Sequence, residues 1–223
     1  MLEFNAPGNY TVTFPPGVFR MYFTVVGGGG AGGAGYMQGG GGGAAGNVIW
    51  NYPVTRAPGT ILDMVVGVKG LGNNNYNTSG GKGGDSWVIG PMSVVAFGGQ
   101  GGHGGSDATG DYGGQGGVAE NGMIPSGSGG RSYAAVDGLP PVVDFAEPGG
   151  DTAWYNGGAT EGQGGGGGGS FFGAGGVGAG PYTANQQAGT AGGPTAGGGG
   201  GGKNSEHATF GGNGGNGLII VTW

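Results

Sequence analysis

The chain has 223 residues, 70 of them glycine, with 12 acidic and 6 basic side chains and a formal net charge of −6. So few basic residues leave no electrostatic footprint for nucleic acid. The absence of cysteine removes disulfides and thiolate metal sites, and no apolar run nears the roughly 20 residues that cross a bilayer. The opening MLEFNAPGNY carries no basic segment followed by an apolar run, so no secretory signal is expected.

Taken in chain order, the apolar residues bunch into short segments that alternate. YTVTF (10–14) comes first, then FRMYFTVV (19–26), where Phe19, Met21, Phe23 and Val25 share one face. VIWNYPV (48–54), ILDMVVGV (61–68), DSWVI (85–89) and MSVVAF (92–97) follow, and LIIVTW (218–223) closes the chain. Strand aromatics such as Phe23 and Trp50 are expected in the core. Pro-Gly pairs at Pro16-Gly17 and Pro58-Gly59 mark turns between the segments. Frequent glycine and proline nearly exclude α-helix. Seven or eight short strands point to an all-β, antiparallel sandwich.

Strand-like segments fill residues 1–97, and one more lies at 218–223, so the last must return to the same sheets. The expectation is one domain: a sandwich from 1–97 and 218–223, with smaller glycine tracts at 27–46 and 80–84, and a glycine-rich insertion over 98–217. Many of the tracts keep a period of three, as in GGAGGA (29–34), GGKGGD (80–85), GGQGGHGGS (98–106) and GGNGGN (211–216). A flexible linker needs no such phase. Collagen needs a strict triplet register rich in proline. The phase fits polyglycine II, an extended helix with three residues per turn and no internal hydrogen bonds, which requires laterally packed neighbours. In GGQGGHGGS the third positions, Gln100, His103 and Ser106, then line an exposed helix edge. Tracts of glycine alone can lie inside.

Three features carry the resemblance to a known family: Pro16-Gly17-Val18 leading into TVVGGGGAGGAG (24–35), PGTILDMVVGVKG (58–70), and the closing GGNGGNGLIIVTW (211–223). The chain resembles the glycine-rich domain at the tips of bacteriophage tail fibres and related adhesins. That resemblance implies a β-sandwich with stacked polyglycine II helices whose connecting loops recognise the bacterial surface. It also implies a virion location, other virion proteins as neighbours, and a homo-oligomer, a trimer first among the options. The partner would be a surface protein or polysaccharide of the host, with no membrane insertion.

Chemistry-bearing motifs are few. G-x-G-x-x-G matches arise by composition alone, and the phosphate-loop-like Gly197–Lys203 is followed by Asn204 where Ser or Thr should hold magnesium. His103 and His207 do not make a zinc set. Asp137, Asp144, Glu147 and Asp151 lack calcium-loop spacing. No catalytic residue, metal or cofactor is expected, and the chain reads as a binding protein rather than an enzyme. The informative side chains are aromatics between the tracts: Tyr36, Tyr76, Tyr112, Tyr133, Trp154, Tyr155, Phe171, Phe172 and Tyr182. Rigid aromatics give contact area at low entropic cost. Tyr112, Trp154, Tyr155, Phe171, Phe172 and Tyr182 are the candidate receptor-binding residues; packing on the sandwich or contact with a neighbouring subunit is the structural alternative. The runner-up function is a structural virion protein. A third, ice binding, is disfavoured because the third positions form no regular threonine or alanine array.

Overall fold

The computed structural model describes residues 1–35, 39–73, 75, 78–89, 94–105, 167–170, 172–176, 189, 191–193, 195, 197–201 and 210–223. Among them are eight strands: β1 (Leu2–Phe4), β2 (Gly8–Thr13), β3 (Arg20–Val26), β4 (Val48–Thr55), β5 (Ile61–Val66), β6 (Ser86–Ile89), β7 (Val94–Ala96) and β8 (Leu218–Thr222). They form two four-stranded antiparallel sheets, ordered β1-β8-β3-β4 and β2-β5-β6-β7. No α-helix occurs among the described residues. The chain is an all-β sandwich, and its last strand does return, inserting between β1 and β3.

Alternation explains the core. Val12 and Phe14, Met21, Phe23 and Val25, Leu62, Met64 and Val66, Val88, and Ile219 and Val221 turn inward and pack as one cluster. Both Pro-Gly pairs close type II turns. Val18 N–H donates to the Pro15 carbonyl, Thr60 N–H to that of Ala57, and Gly17 and Gly59 hold φ of 78° and 84°.

Trp50, expected in the core, lies outside it, as does Phe19, which alternation places on the face of Phe23. Phe19 is 60 % exposed because β3 begins only at Arg20. Trp50 is 43 % exposed because the ladder slips: Phe23 faces Tyr52 but Val25 faces Ile49, so Trp50 and Asn51 together oppose Thr24. Such a bulge re-aims side chains. Asn51 takes the left-handed conformation, φ 49°, and its N–H donates to Thr24 Oγ1 at 3.1 Å.

The strands do not end at turns on one side of the sandwich. β3 runs on into residues 27–34, β5 into 67–72 and β7 into 97–105; residues 39–47, 78–84 and 211–217 lead into β4, β6 and β8. The strand expected over 61–68 stops at Val66, and residues 67–72 run on as a glycine helix. Each extension exchanges hydrogen bonds at every third residue. Gly27, Gly30 and Gly33 donate to Asn47, Ala44 and Gly41; Gly28, Ala31 and Ala34 donate to Gly84, Gly81 and Thr78; Gly29 and Gly32 donate to Gly215 and Gly212. Three successive residues thus address three different neighbours, the signature of a threefold helix packed side by side.

The carbonyls of the same segment serve three more neighbours. Gly28, Ala31 and Ala34 accept from Gly99, Gly102 and Gly105, Gly29 from Gly70, and Gly30 from Gly199. Segment 27–34 therefore sits at the centre of a ring formed by 39–47, 98–105, 78–84, 67–72, 211–217 and 197–201. The ring closes on itself: Ala44 donates to Gln100, Gly83 to Gly99, Gly81 to Leu71, Gly214 to Gly70, Gly212 to Gly200, and Gly43 to Gly199. The tract expected to be a minor interruption of the sandwich is the axis of the bundle. It is not pure glycine, since Ala31 and Ala34 are fully buried within it. Backbones approach so closely that a Cβ on Gly30, Gly32 or Gly33 would lie 2.1, 2.0 or 2.1 Å from the carbonyl oxygen of Gln100, Gly200 or His103.

Candidate functional site

The hydrogen-bond register defines two ends. Gly27, Asn47, Gly67, Gly84, Phe97 and Gly217 lie beside the sandwich; Ala34, Gly41, Thr78, His103, Gly105, Gly200 and Gly212 lie towards the opposite end. Eight residues at about 3.1 Å each separate the two, roughly 25 Å. The chain leaves the described bundle at the far end after Gly35, Asn73, Gly105 and Gly201. It rejoins there at Gly39, Thr78 and Phe210, while Gly189 donates to the Phe210 carbonyl at the same level.

One far-end connection is described in part. Asn73 Oδ1 accepts the Asn75 N–H at 3.1 Å, and Thr78 N–H and its hydroxyl both donate to the Asn75 carbonyl. Asn and Thr side chains substitute for missing backbone partners in such a turn. Phe210, 53 % exposed, stands at the same end.

The bundle's outer surface follows the triplet phase. Gln100 and His103 are exposed, while Gly102 between them is buried. Ser79 and Lys82 form a second exposed row, and Val68 and Leu71, 55 % and 63 % exposed, a third. Lys82 reaches Asp85 at 3.4 Å and lies 5.9 Å above the Phe97 ring. Not every third position faces solvent, however. Asn216 Oδ1 accepts the Lys69 N–H at 3.2 Å, and Asn213 Oδ1 accepts the Gly72 N–H at 2.8 Å. Asp85 Oδ1 accepts the Gly98 N–H at 2.8 Å. Side-chain oxygens at triplet positions thus accept rim-helix N–H groups that have no backbone acceptor among the described residues.

Of the candidate receptor-binding aromatics, Phe172 alone is described. It lies at the sandwich end, half-buried against the cluster of Val26, Val48 and Leu218, and its ring stacks on Trp50 with centroids 5.7 Å apart. Tyr112, Trp154, Tyr155, Phe171 and Tyr182, and the third edge position Ser106, lie outside the described residues, as do Tyr36, Tyr76 and Tyr133. No group of three or more metal-ligating side chains occurs among the described residues.

A sandwich whose strands continue into a hexagonally packed glycine bundle defines a class of scaffold: nearly free of side chains inside, with the chain exits at Gly35, Asn73, Gly105 and Gly201 gathered at one end. The sequence matches the family of the glycine-rich domain over residues 5–223, and the chain belongs to that family. No curated protein matches it.

Proposed function

We propose that the protein is a bacteriophage tail-fibre tip adhesin that binds a bacterial surface protein or glycan through the far end of its glycine bundle. The observation that carries this reading is the gathering of chain exits and entries at that end, about 25 Å from the sandwich. At that end the chain leaves into 106–166 and 202–209 and re-enters from 177–188 at Gly189, and residues 106–166 and 177–188 contain Tyr112, Trp154, Tyr155 and Tyr182. A framework held by backbone bonds alone leaves those sequences free to vary without loss of stability, and recognition concentrates in loops on such frameworks. Phe172 belongs to the scaffold in this reading, since its ring already packs on the sandwich. Binding is non-enzymatic, and a trimeric fibre would multiply weak contacts through effective concentration. Purified protein applied to host bacteria tests it. The variant with Tyr112, Trp154, Tyr155 and Tyr182 replaced by alanine should lose adsorption while keeping its thermal unfolding midpoint; unchanged adsorption would sink the assignment.

A second reading, a structural virion protein, draws on the exposed apolar row of Val68 and Leu71 on one helix of the bundle. That row could join copies side by side. Sedimentation and adsorption of a Val68→Ser/Leu71→Ser variant separate the two: an oligomer that dissociates in the variant, with no adsorption by the parent protein, favours the structural reading.

A further inference from the structure

On the outer face of the sheet β2-β5-β6-β7, a depression of about 470 Å³ is lined by Asn9, Tyr10, Thr11, Asp63, Met64, Val65 and Trp87. Its size falls in the range of ligand clefts, about 300–1,000 Å³. The register explains its side chains. Val12, Leu62, Met64 and Val88 point into the core, so Asn9, Thr11, Asp63, Val65 and Trp87 point out. Asn9 stands opposite Val65, and Val65 opposite Trp87, placing amide, aliphatic and indole groups in one row across three strands. Thr11 stands opposite Asp63 in the adjoining row. Asn9, Thr11 and Asp63 are exposed, and Trp87 is half-buried.

We infer that this depression is a binding site for a neutral saccharide, separate from the far end of the bundle and independent of what that end binds. The indole offers a flat apolar platform to the C–H face of a pyranose ring, the geometry that aromatic faces favour. The Asp63 carboxylate accepts hydroxyl protons in charge-assisted bonds, while Thr11 and Asn9 supply both donors and acceptors. No cationic side chain lines the depression, and the chain as a whole carries a net charge of −6, which disfavours a phosphate, a sialylated glycan or nucleic acid. An apolar protein partner fits poorly, because three of the five outward side chains, Asn9, Thr11 and Asp63, are polar and exposed. A polyhydroxylated, uncharged ligand matches both halves of the surface.

The experiment titrates the intact chain with neutral disaccharides of glucose, galactose and N-acetylglucosamine, up to roughly 20 mM, the range of weak single-site recognition. Amide chemical shifts and tryptophan fluorescence are the readouts. Shifts confined to Asn9, Thr11, Asp63, Val65 and Trp87 are expected for at least one sugar. Asp63→Asn, which keeps the side chain's size, should weaken that binding about tenfold or more, through the lost charge-assisted bonds. Trp87→Ala should abolish it and Trp87→Phe retain it in part; circular dichroism confirms that each variant is folded. No shift at these residues with any sugar overturns the inference. So does binding that survives both Asp63→Asn and Trp87→Ala, or a self-association in the native chain that Trp87→Ala breaks.

Discussion

The Trp50 ring stacks on Phe172, centroids 5.7 Å apart and planes 27° from parallel, joining the outer face of the sandwich to a turn 122 positions further along the chain. Trp50 stands there because of the bulge opposite Thr24, and Phe172 because Ser170 and Gly173 exchange bonds in a tight turn around it. The pair fastens the glycine-rich insertion to the sheet. Aromatic pairs of this kind couple by about 0.5–1.5 kcal/mol beyond the area they bury. A double-mutant cycle of Trp50→Ala and Phe172→Ala, read by urea unfolding, should return a coupling in that range, with Phe172→Ala alone costing about 1–3 kcal/mol. Additive costs would show that the rings do not support one another.

Position within the triplet should decide tolerance. A Cβ at Gly101 would sit 1.9 Å from the Gly80 carbonyl oxygen and one at Gly102 2.1 Å from that of Gly41, whereas Gln100 already points into solvent. Gly101→Val or Gly102→Val must push whole backbones apart. The loss should reach about 3 kcal/mol or more, at the upper end of overpacking costs. Gln100→Val should stay within about 0.5 kcal/mol of the parent, as surface substitutions do. Thermal unfolding of the three variants checks the order.

Asn213 and Asn216 make a third case. Each side chain accepts an N–H of the 67–72 helix that has no backbone acceptor among the described residues. Asn213→Ala should cost about 1–3 kcal/mol, the penalty for stranding a part-buried donor. Asn213→Asp keeps an acceptor oxygen and should lose clearly less. Amide exchange at Gly72, faster in Asn213→Ala and protected in Asn213→Asp, gives the local readout.

Ser86 works in the same way inside the molecule. It is fully buried at the junction of β6 with its helix, and its hydroxyl accepts the Gly67 N–H at 2.9 Å. Ser86→Ala should destabilise by about 1–3 kcal/mol. Ser86→Thr should also fail, because Ser86 Oγ lies 2.3 Å from where a Cβ on Gly217 would stand and an added methyl has little room. Denaturant unfolding of both variants tests this.

The strands were legible because period two and period three are different signals, and the chain switches between them without a linker. Alternation located seven of the eight strands; Leu2–Phe4 was missed because three residues are too few to show a period. What alternation could not supply was the bulge at Trp50–Asn51, which depends on a hydroxyl across the ladder at Thr24. Nor could the triplet phase say which tract is central, since neighbour order is set by the strand order of the two sheets. The depression around Trp87 was concealed for a related reason. In DSWVI (85–89) the tryptophan reads as one more strand aromatic, and only the register with Asn9 and Asp63 gathers the polar partners beside it. The residues chosen for recognition were selected as aromatics between tracts, and Phe172 shows that such a residue can equally be a fastening.

The threefold helix has one more property. Turning a glycine helix by a third of a revolution and sliding it one residue, about 3.1 Å, superposes it on itself. For the bare run at 197–201 every such slip preserves the lattice, so glycine alone does not say which residue belongs where. Side chains break the degeneracy: Ala31 and Ala34 on the axis, Asn213 and Asn216 on the rim, Gln100 and His103 outside. Each occupies one of three orientations, and a slip would carry it into a neighbour's backbone. These few residues are the chain's alignment marks, and a variant with Ala31 and Ala34 changed to glycine would be free to misregister on refolding while retaining every kind of bond the native bundle contains.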